Sequence, residues 1–248
     1  MRNHRLLVIL ITFCLSSCSS FNPFEREGEY IEKRVDINGV SAIKNLNTFQ
    51  IQIIQDDEEF ILLKGGENLV SKTNASVADQ QLTIDHSYNN NARNFDLITA
   101  EIHLKEVTKI TCSAPANISS INKLNGNHLD IIVYSESQLV EMNLSLEYES
   151  MKFHSLGSAT GGFKFSGICP NTNYTLNGVI NIKAGDLQSN NISLAQNGIG
   201  EAHVWAKDKL NVTIYSSGNI YYKGTPEISV KRIQVNNQNP TGEVLQEK

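Results

Sequence analysis

Catalytic constellations are missing from this sequence of 248 residues, and each gap removes a class of function. Beyond the N-terminal apolar run the histidines are His86, His103, His128, His154 and His203, and no two stand at a metal-binding spacing such as H-x-x-x-H. There is no G-x-S-x-G elbow and no glycine-rich loop opening a helix around a phosphate. The stretch 157–162 (GSATGG) lacks the lysine and helix that a phosphate loop needs. Positive charge is short as well: 21 Lys and Arg stand against 26 Asp and Glu. With no basic stripe interleaved with aromatics, nucleic acid is not expected as a partner. No cofactor or metal is expected. Capped helical periodicity is absent apart from residues 67–77, which suit one short helix.

Cysteine is scarce too. Cys14 lies inside the apolar run 6–15 and Cys18 just beyond it. Cys112 and Cys169 fall more than two rungs apart in the repeat described below, further than the roughly 7 Å between Cα atoms that a disulfide spans. Both are expected as free thiols.

The apolar run at residues 6–15 follows Arg2 and Arg5 and is too short to span a bilayer. A basic start and a short apolar core make a secretory leader. The run stops at Leu15-Ser16-Ser17-Cys18, which resembles a bacterial lipobox: an aliphatic residue, two small ones, then a cysteine to be acylated. Cys18 is therefore expected to become the first mature residue and to hold the protein to a membrane through its lipid. Cleavage there removes Arg2 and Arg5 and no acid, which takes the formal net charge from −5 to −7. The expected segments are a signal peptide at 1–17, a polar lipidated tether at 18–33, a folded body at 34–235 and a frayed polar tail at 236–248.

What the chain does have is a repeat. Ala114, Ser135, Gly157, Gly178, Gly198 and Ser216 are small residues spaced 21, 22, 21, 20 and 18 positions apart. Four residues before them stand Ile110, Ile131, Phe153, Tyr174, Leu194 and Val212. Even offsets are mostly apolar or small, and odd offsets are richer in Thr, Ser, Asn and Glu. A period of two with one buried face is a strand pattern. A second period near twenty residues marks a repeat architecture. Twenty residues are too few for a strand–helix–strand crossover, which takes about 30. One solenoid coil per repeat fits, with the small anchors expected on the narrow inside, where larger side chains would collide. An antiparallel sandwich is the competing reading, although its turns come about every 8–12 residues. The expected fold is all-β, a β-solenoid akin to a parallel β-helix.

The last repeat ends in Gly218-Asn219-Ile220-Tyr221-Tyr222-Lys223-Gly224-Thr225-Pro226. This ending, behind repeats containing S-G and N-G, resembles the auto-transporter adhesin head GIN domain family over about residues 35–233. The second and third coils depart from the family's glycine density, reading YSESQL and SLGSATGG. The resemblance implies a β-solenoid and a secreted or surface-attached bacterial protein. Tyr221, Tyr222 and the strand at 227–235 are expected to cap the solenoid's open end.

Within four residues of the anchors the only acids are Glu136 and Glu201, three repeats and hence roughly 14 Å apart at the spacing of stacked strands. A glycosidase needs two carboxylates about 5–10 Å apart, so no enzyme is expected. One outward row stands out three residues after the anchors: Asn117, Gln138, Thr160, Asn181, Glu201 and Asn219. Tyr134 and Tyr215 lie four residues before two of its members. Such a row makes either a shallow sugar-binding face or a solvated ladder of amides bonded to one another. The expectation is a non-catalytic lipoprotein of the outer membrane, cell surface or periplasm, an adhesin or a surface module that binds glycan or matrix. The alternative is an assembly module that self-associates or binds another envelope protein.

Overall fold

The structure, a computed structural model, describes residues 26–88 and 96–247. The leader, Cys18 and the asparagine loop at 89–91 lie outside the described residues. In chain order the first strands are β1 (Tyr30–Asp36), β2 (Ala42–Asn45), β3 (Phe49–Gln55), β4 (Phe60–Gly66), β5 (Thr73–Ala78) and β6 (Gln81–His86). Then come β7 (Thr99–Leu104), β8 (Lys109–Cys112), β9 (Ala116–Ser120), β10 (Leu124–Val133), β11 (Val140–Ser155) and β12 (Thr160–Ile168). The last are β13 (Asn171–Leu176), β14 (Val179–Gln196), β15 (Ala202–Ile214), β16 (Ile220–Lys223), β17 (Glu227–Arg232) and β18 (Val244–Gln246). Among the described residues one short α-helix, α1 (Glu67–Val70), follows β4.

These strands form a parallel β-solenoid of about seven turns with coils about 21 residues apart. Face A stacks β2, β8 and the second halves of β10 and β11, then β13, the second halves of β14 and β15, and β17. Face B stacks β7, β3 and β9, the first half of β11, β12, the first halves of β14 and β15, then β16 and β18. The long strands bend at a corner and so serve both faces. Their alternation makes this work: in β11 buried Val140, Met142, Leu144, Leu146 and Tyr148 point inward on one side of the bend, and Met151 and Phe153 on the other.

On face A the sequence register holds in every coil. Ile110, Ile131, Phe153, Tyr174, Leu194 and Val212 pair in turn and are all buried. Phe153 meets Phe163 edge-on at 4.6 Å and Phe165 at 6.1 Å, filling the middle of the solenoid with aromatic rings.

The anchors sit only partly as expected. They occupy the corner turn between the faces, where Ala114 and Gly198 are buried, Ser135, Gly178 and Ser216 are half-buried and Gly157 is exposed. Smallness is required there because neighbouring turns stack backbone on backbone. A Cβ at Gly178 would lie 2.2 Å from the Ala159 carbonyl oxygen, and one at Gly198 would lie 2.2 Å from that of Gly178.

Both ends also differ from expectation. β1 begins at Tyr30, inside the stretch read as tether, because it pairs antiparallel with β4 from Tyr30–Gly66 to Asp36–Phe60. Together with the β5–β6 antiparallel pair and the buried Leu69 and Val70 of α1, it closes the N-terminal end. At the other end the polar tail is ordered: β18 pairs in parallel with β16, adding a rung to face B. The segment read as a cap is instead two more rungs, β16 and β17. All six residues of β17 are exposed.

Candidate functional site

The outward polar row is only partly as the spacing suggests. Gln50, Asn117, Glu141, Gly162, Asn181, Glu201, Asn219 and Glu243 are the residues that stack on face B. Gln138 and Thr160 fall off it. The turn after Tyr134 tightens into a 3-10 turn over Ser135–Ser137 with Gln138 at φ 53°, and its surplus residues make Val140, not Leu139, the inward side chain. Leu139 is left 55% exposed. Tyr134 is exposed near this turn, remote from the row.

Two of the row's asparagines, Asn181 and Asn219, are occupied with the fold. Asn181 Oδ1 accepts the main-chain N–H of Glu201 at 3.1 Å, and Asn219 Oδ1 accepts that of Glu243 at 3.0 Å. On face A the link between coils is amide to amide, Asn191 Nδ2 donating to Asn171 Oδ1 at 3.1 Å. These amides tie coil to coil and have correspondingly little left to offer a ligand. Around Gly162 the missing side chain opens a groove of about 410 Å³ lined by Asn117, Ser119, Glu141, Lys164 and Lys183. Its mouth is wide, and the Glu141 carboxylate overlies the glycine: a Cβ there would sit 2.6 Å from Oε2.

Tyr215 is better placed. It lines a cleft of about 810 Å³ between the corner turn Ser216–Ser217 and residues 235–241, facing Asn197, Asn236, Gln238 and Asn239. The main chain builds this cleft: Thr241 and Gly242 N–H both donate to Ser216 O at 3.2 Å, and Val235 bridges Gln238 around Asn236 and Asn237 at positive φ. No hydrogen bond joins the Asn197, Gln238 or Asn239 side chains, or the Tyr215 hydroxyl, to another described residue, and no charged group lines the cleft. An aromatic ring beside free amides and hydroxyls suits a neutral, hydroxyl-rich ligand. The sequence reading found Tyr215 but not the cleft around it, of whose lining Asn236, Gln238 and Asn239 fall in the segment expected to be a frayed tail. A signal was present: Gly242-Glu243-Val244 repeats the pattern of Gly218-Asn219-Ile220, marking one more coil.

The ionisable groups elsewhere serve the scaffold. Lys64 Nζ pairs with Glu101 at 2.8 Å, which holds that carboxyl below its ordinary range, and His103 bridges onward to Asp56 at 2.7 Å. His103 also stacks on Phe60 at 4.0 Å, and the Arg34 guanidinium covers that ring at 3.6 Å. His203 contacts Glu247 and stacks on Tyr221 at 4.7 Å, so the family-like ending binds the last rungs together. Tyr222 is partly buried against the core. Cys112 and Cys169 are free and buried, and desolvation pushes each thiol up to about 12. Among the described residues no three His, Cys, Asp or Glu are grouped to hold a metal ion, and no helix is long and apolar enough to cross a membrane.

A parallel β-solenoid with polar side faces and a cleft at its last corner is the class these features define. The chain belongs to the family described as "Putative auto-transporter adhesin, head GIN domain", whose model matches residues 40–226. Among solved structures it is similar to a "putative adhesin" from Bacteroides fragilis, with a TM-score of 0.78 at 20% identity over 88% of this chain and 97% of that one. A "putative adhesin" from Parabacteroides merdae aligns with a TM-score of 0.61 at 22% identity over 89% of this chain and 97% of that one. A "putative lipid binding protein" from Parabacteroides distasonis gives 0.66 at 17% identity over 89% of this chain and 98% of that one. At such identities the likeness is one of fold. No curated protein matches the sequence. An adhesin-like family points to the cell surface rather than to catalysis.

Proposed function

We propose that this chain is a non-catalytic, lipid-anchored envelope protein that binds a neutral glycan in the Tyr215 cleft. The observation that carries the reading is the convergence of the Tyr215 ring with the uncommitted amides of Asn197, Gln238 and Asn239 around about 810 Å³ free of charged side chains. Sugars present apolar ring faces and many hydroxyls, which an aromatic platform and amide groups match. The family's adhesin description is consistent with such a role. The anchor rests on the lipobox-like stretch ending at Cys18, and the envelope location on that anchor and the leader.

A glycan array probed with the folded, purified chain tests the binding. The expected result is a saturable hit weakened at least about tenfold by Tyr215→Ala and by Asn197→Ala, the loss set by a stacking ring or a polar contact worth about 1.4 kcal/mol. Silence across neutral glycans would overturn it. Acylation is read separately, by incorporation of a fatty-acid analogue that is lost in Cys18→Ser.

The alternative role, assembly, has its own observation in β17, the last strand of face A, whose six residues are all exposed.

A further inference from the structure

The two ends of the solenoid are not equivalent. At the N-terminal end the edge strands β1 and β5 are added antiparallel and α1 buries Leu69 and Val70 over the core, whereas at the other end β17 continues face A in parallel to a free edge with no helix over it. Ile228 and Val230 stand directly over Leu210 and Val212, so they belong to the inward parity. Without a further coil they remain 39% and 37% exposed over neighbours at 0% and 2%. An edge strand with open hydrogen-bonding groups and apolar side chains is a template for another strand.

The sequence of β17, Glu-Ile-Ser-Val-Lys-Arg, is complementary to itself in one register. Antiparallel pairing about a two-fold axis normal to face A keeps the inward sides of both copies aligned, so opposing residues must share parity. With Ser229 opposite its own copy, Ile228 meets Val230 of the second copy on the inward side. Glu227 then meets Lys231 on the outward side, and the symmetry makes each contact twice. The neighbouring even registers are worse. One places Arg232 opposite Ile228, and the other leaves Glu227 opposite Ser229. Cross-strand pairs of opposite charge and of β-branched residues are the units that stabilise such a ladder.

We infer that β17 is a self-association edge, through which two copies of this chain join end to end in an antiparallel dimer centred on Ser229. The dimer covers the apolar end of the core and continues face A from one copy into the next. An interface built on one six-residue strand lies at the small, reversible end of protein contacts. Association is therefore concentration-dependent. None of Glu227, Ile228, Ser229, Val230 or Lys231 lines the Tyr215 cleft, so this inference stands or falls independently of the glycan reading.

Sedimentation of the full chain carrying Cys18→Ser, over a concentration series, is the test. The expected result is a monomer–dimer equilibrium weakened at least about tenfold by Glu227→Lys or by Lys231→Glu, each of which opposes like charges. The double variant Glu227→Lys with Lys231→Glu restores it, because the pairs re-form with their signs exchanged. Ser229→Cys is expected to give a reducible covalent dimer, since directly opposed residues have Cα atoms about 4.5–5.5 Å apart. Glu227, Ser229 and Lys231 are all exposed, so circular dichroism should show the same β content throughout. A chain that stays monomeric at the highest concentration overturns the inference. So does a dimer indifferent to the charge exchange, or a Ser229→Cys chain that does not cross-link.

Discussion

The Asn181 side-chain oxygen accepts the main-chain N–H of Glu201 from the next coil at 3.1 Å. A residue on the solvent side of a strand is thus committed to stacking rather than to recognition. The same relation joins Asn219 to Glu243 and explains why amides recur on this row. Asn181→Ala should cost about 1 kcal/mol, the net worth of one such hydrogen bond. In a domain of this size that lowers the melting temperature by about 2–4 °C. Glycan binding at Tyr215 should be unchanged, which an array run beside the melt would check.

Close stacking at the corner sets a sharper test. A Cβ at Gly200 would lie 2.0 Å from the Ile180 carbonyl oxygen, while one at Gly185 would meet nothing within 4 Å. Gly200→Ala should destabilise by about 3 kcal/mol or more through backbone displacement, and Gly185→Ala by less than about 0.5 kcal/mol. Thermal denaturation of the two single variants reads the difference directly.

Buried thiols should be silent. Burial keeps Cys112 and Cys169 protonated, each pushed up to about 12, and shields both from reagent. A thiol-reactive dye should leave both unlabelled in the native chain and modify both in denaturant. Mass spectrometry of the tryptic peptides locates the label.

His86 should make stability depend on pH. It is stacked on Tyr88 at 3.7 Å and edge-on to Phe49 at 5.4 Å, and desolvation lowers its pKa below the ordinary 6.5. The unfolded chain therefore takes up a proton that the folded chain resists. The contribution is present above pH about 6.5 and is lost as pH falls toward the lower folded value. Melting temperature should fall between pH 7 and pH 5 more steeply in the native chain than in His86→Phe. Equal slopes would remove His86 from the account.

The fold was largely legible because strand parity and coil length are both written locally. Ile131, Phe153, Tyr174, Leu194 and Val212 alternate with polar residues and recur at near-constant spacing, and that alone fixes face A. The family-like ending at Gly218–Pro226 was equally visible, but the capping role expected of it does not hold: Tyr221 and Tyr222 lie on an ordinary rung between β15 and β18. The candidate site was legible only in Tyr215. Its partners come from residues 235–241, whose polar composition says nothing of the Ser216 carbonyl that holds Thr241 and Gly242 in place.

By itself the sequence determined an all-β solenoid, its inward residues and the recurrence of one small residue per coil, since these follow from backbone period and chain length per coil; that those small residues stand at the corner turns was decided by the tertiary structure. Tertiary structure alone decided which residues share the outward row, because the surplus residues in the turns before Val140 and Thr160 are absorbed by contacts between coils. It likewise decided that one end closes with antiparallel strands and the other with β17 exposed. Those outcomes depend on which backbone groups meet across coils, and a local hydrophobic pattern carries no record of that.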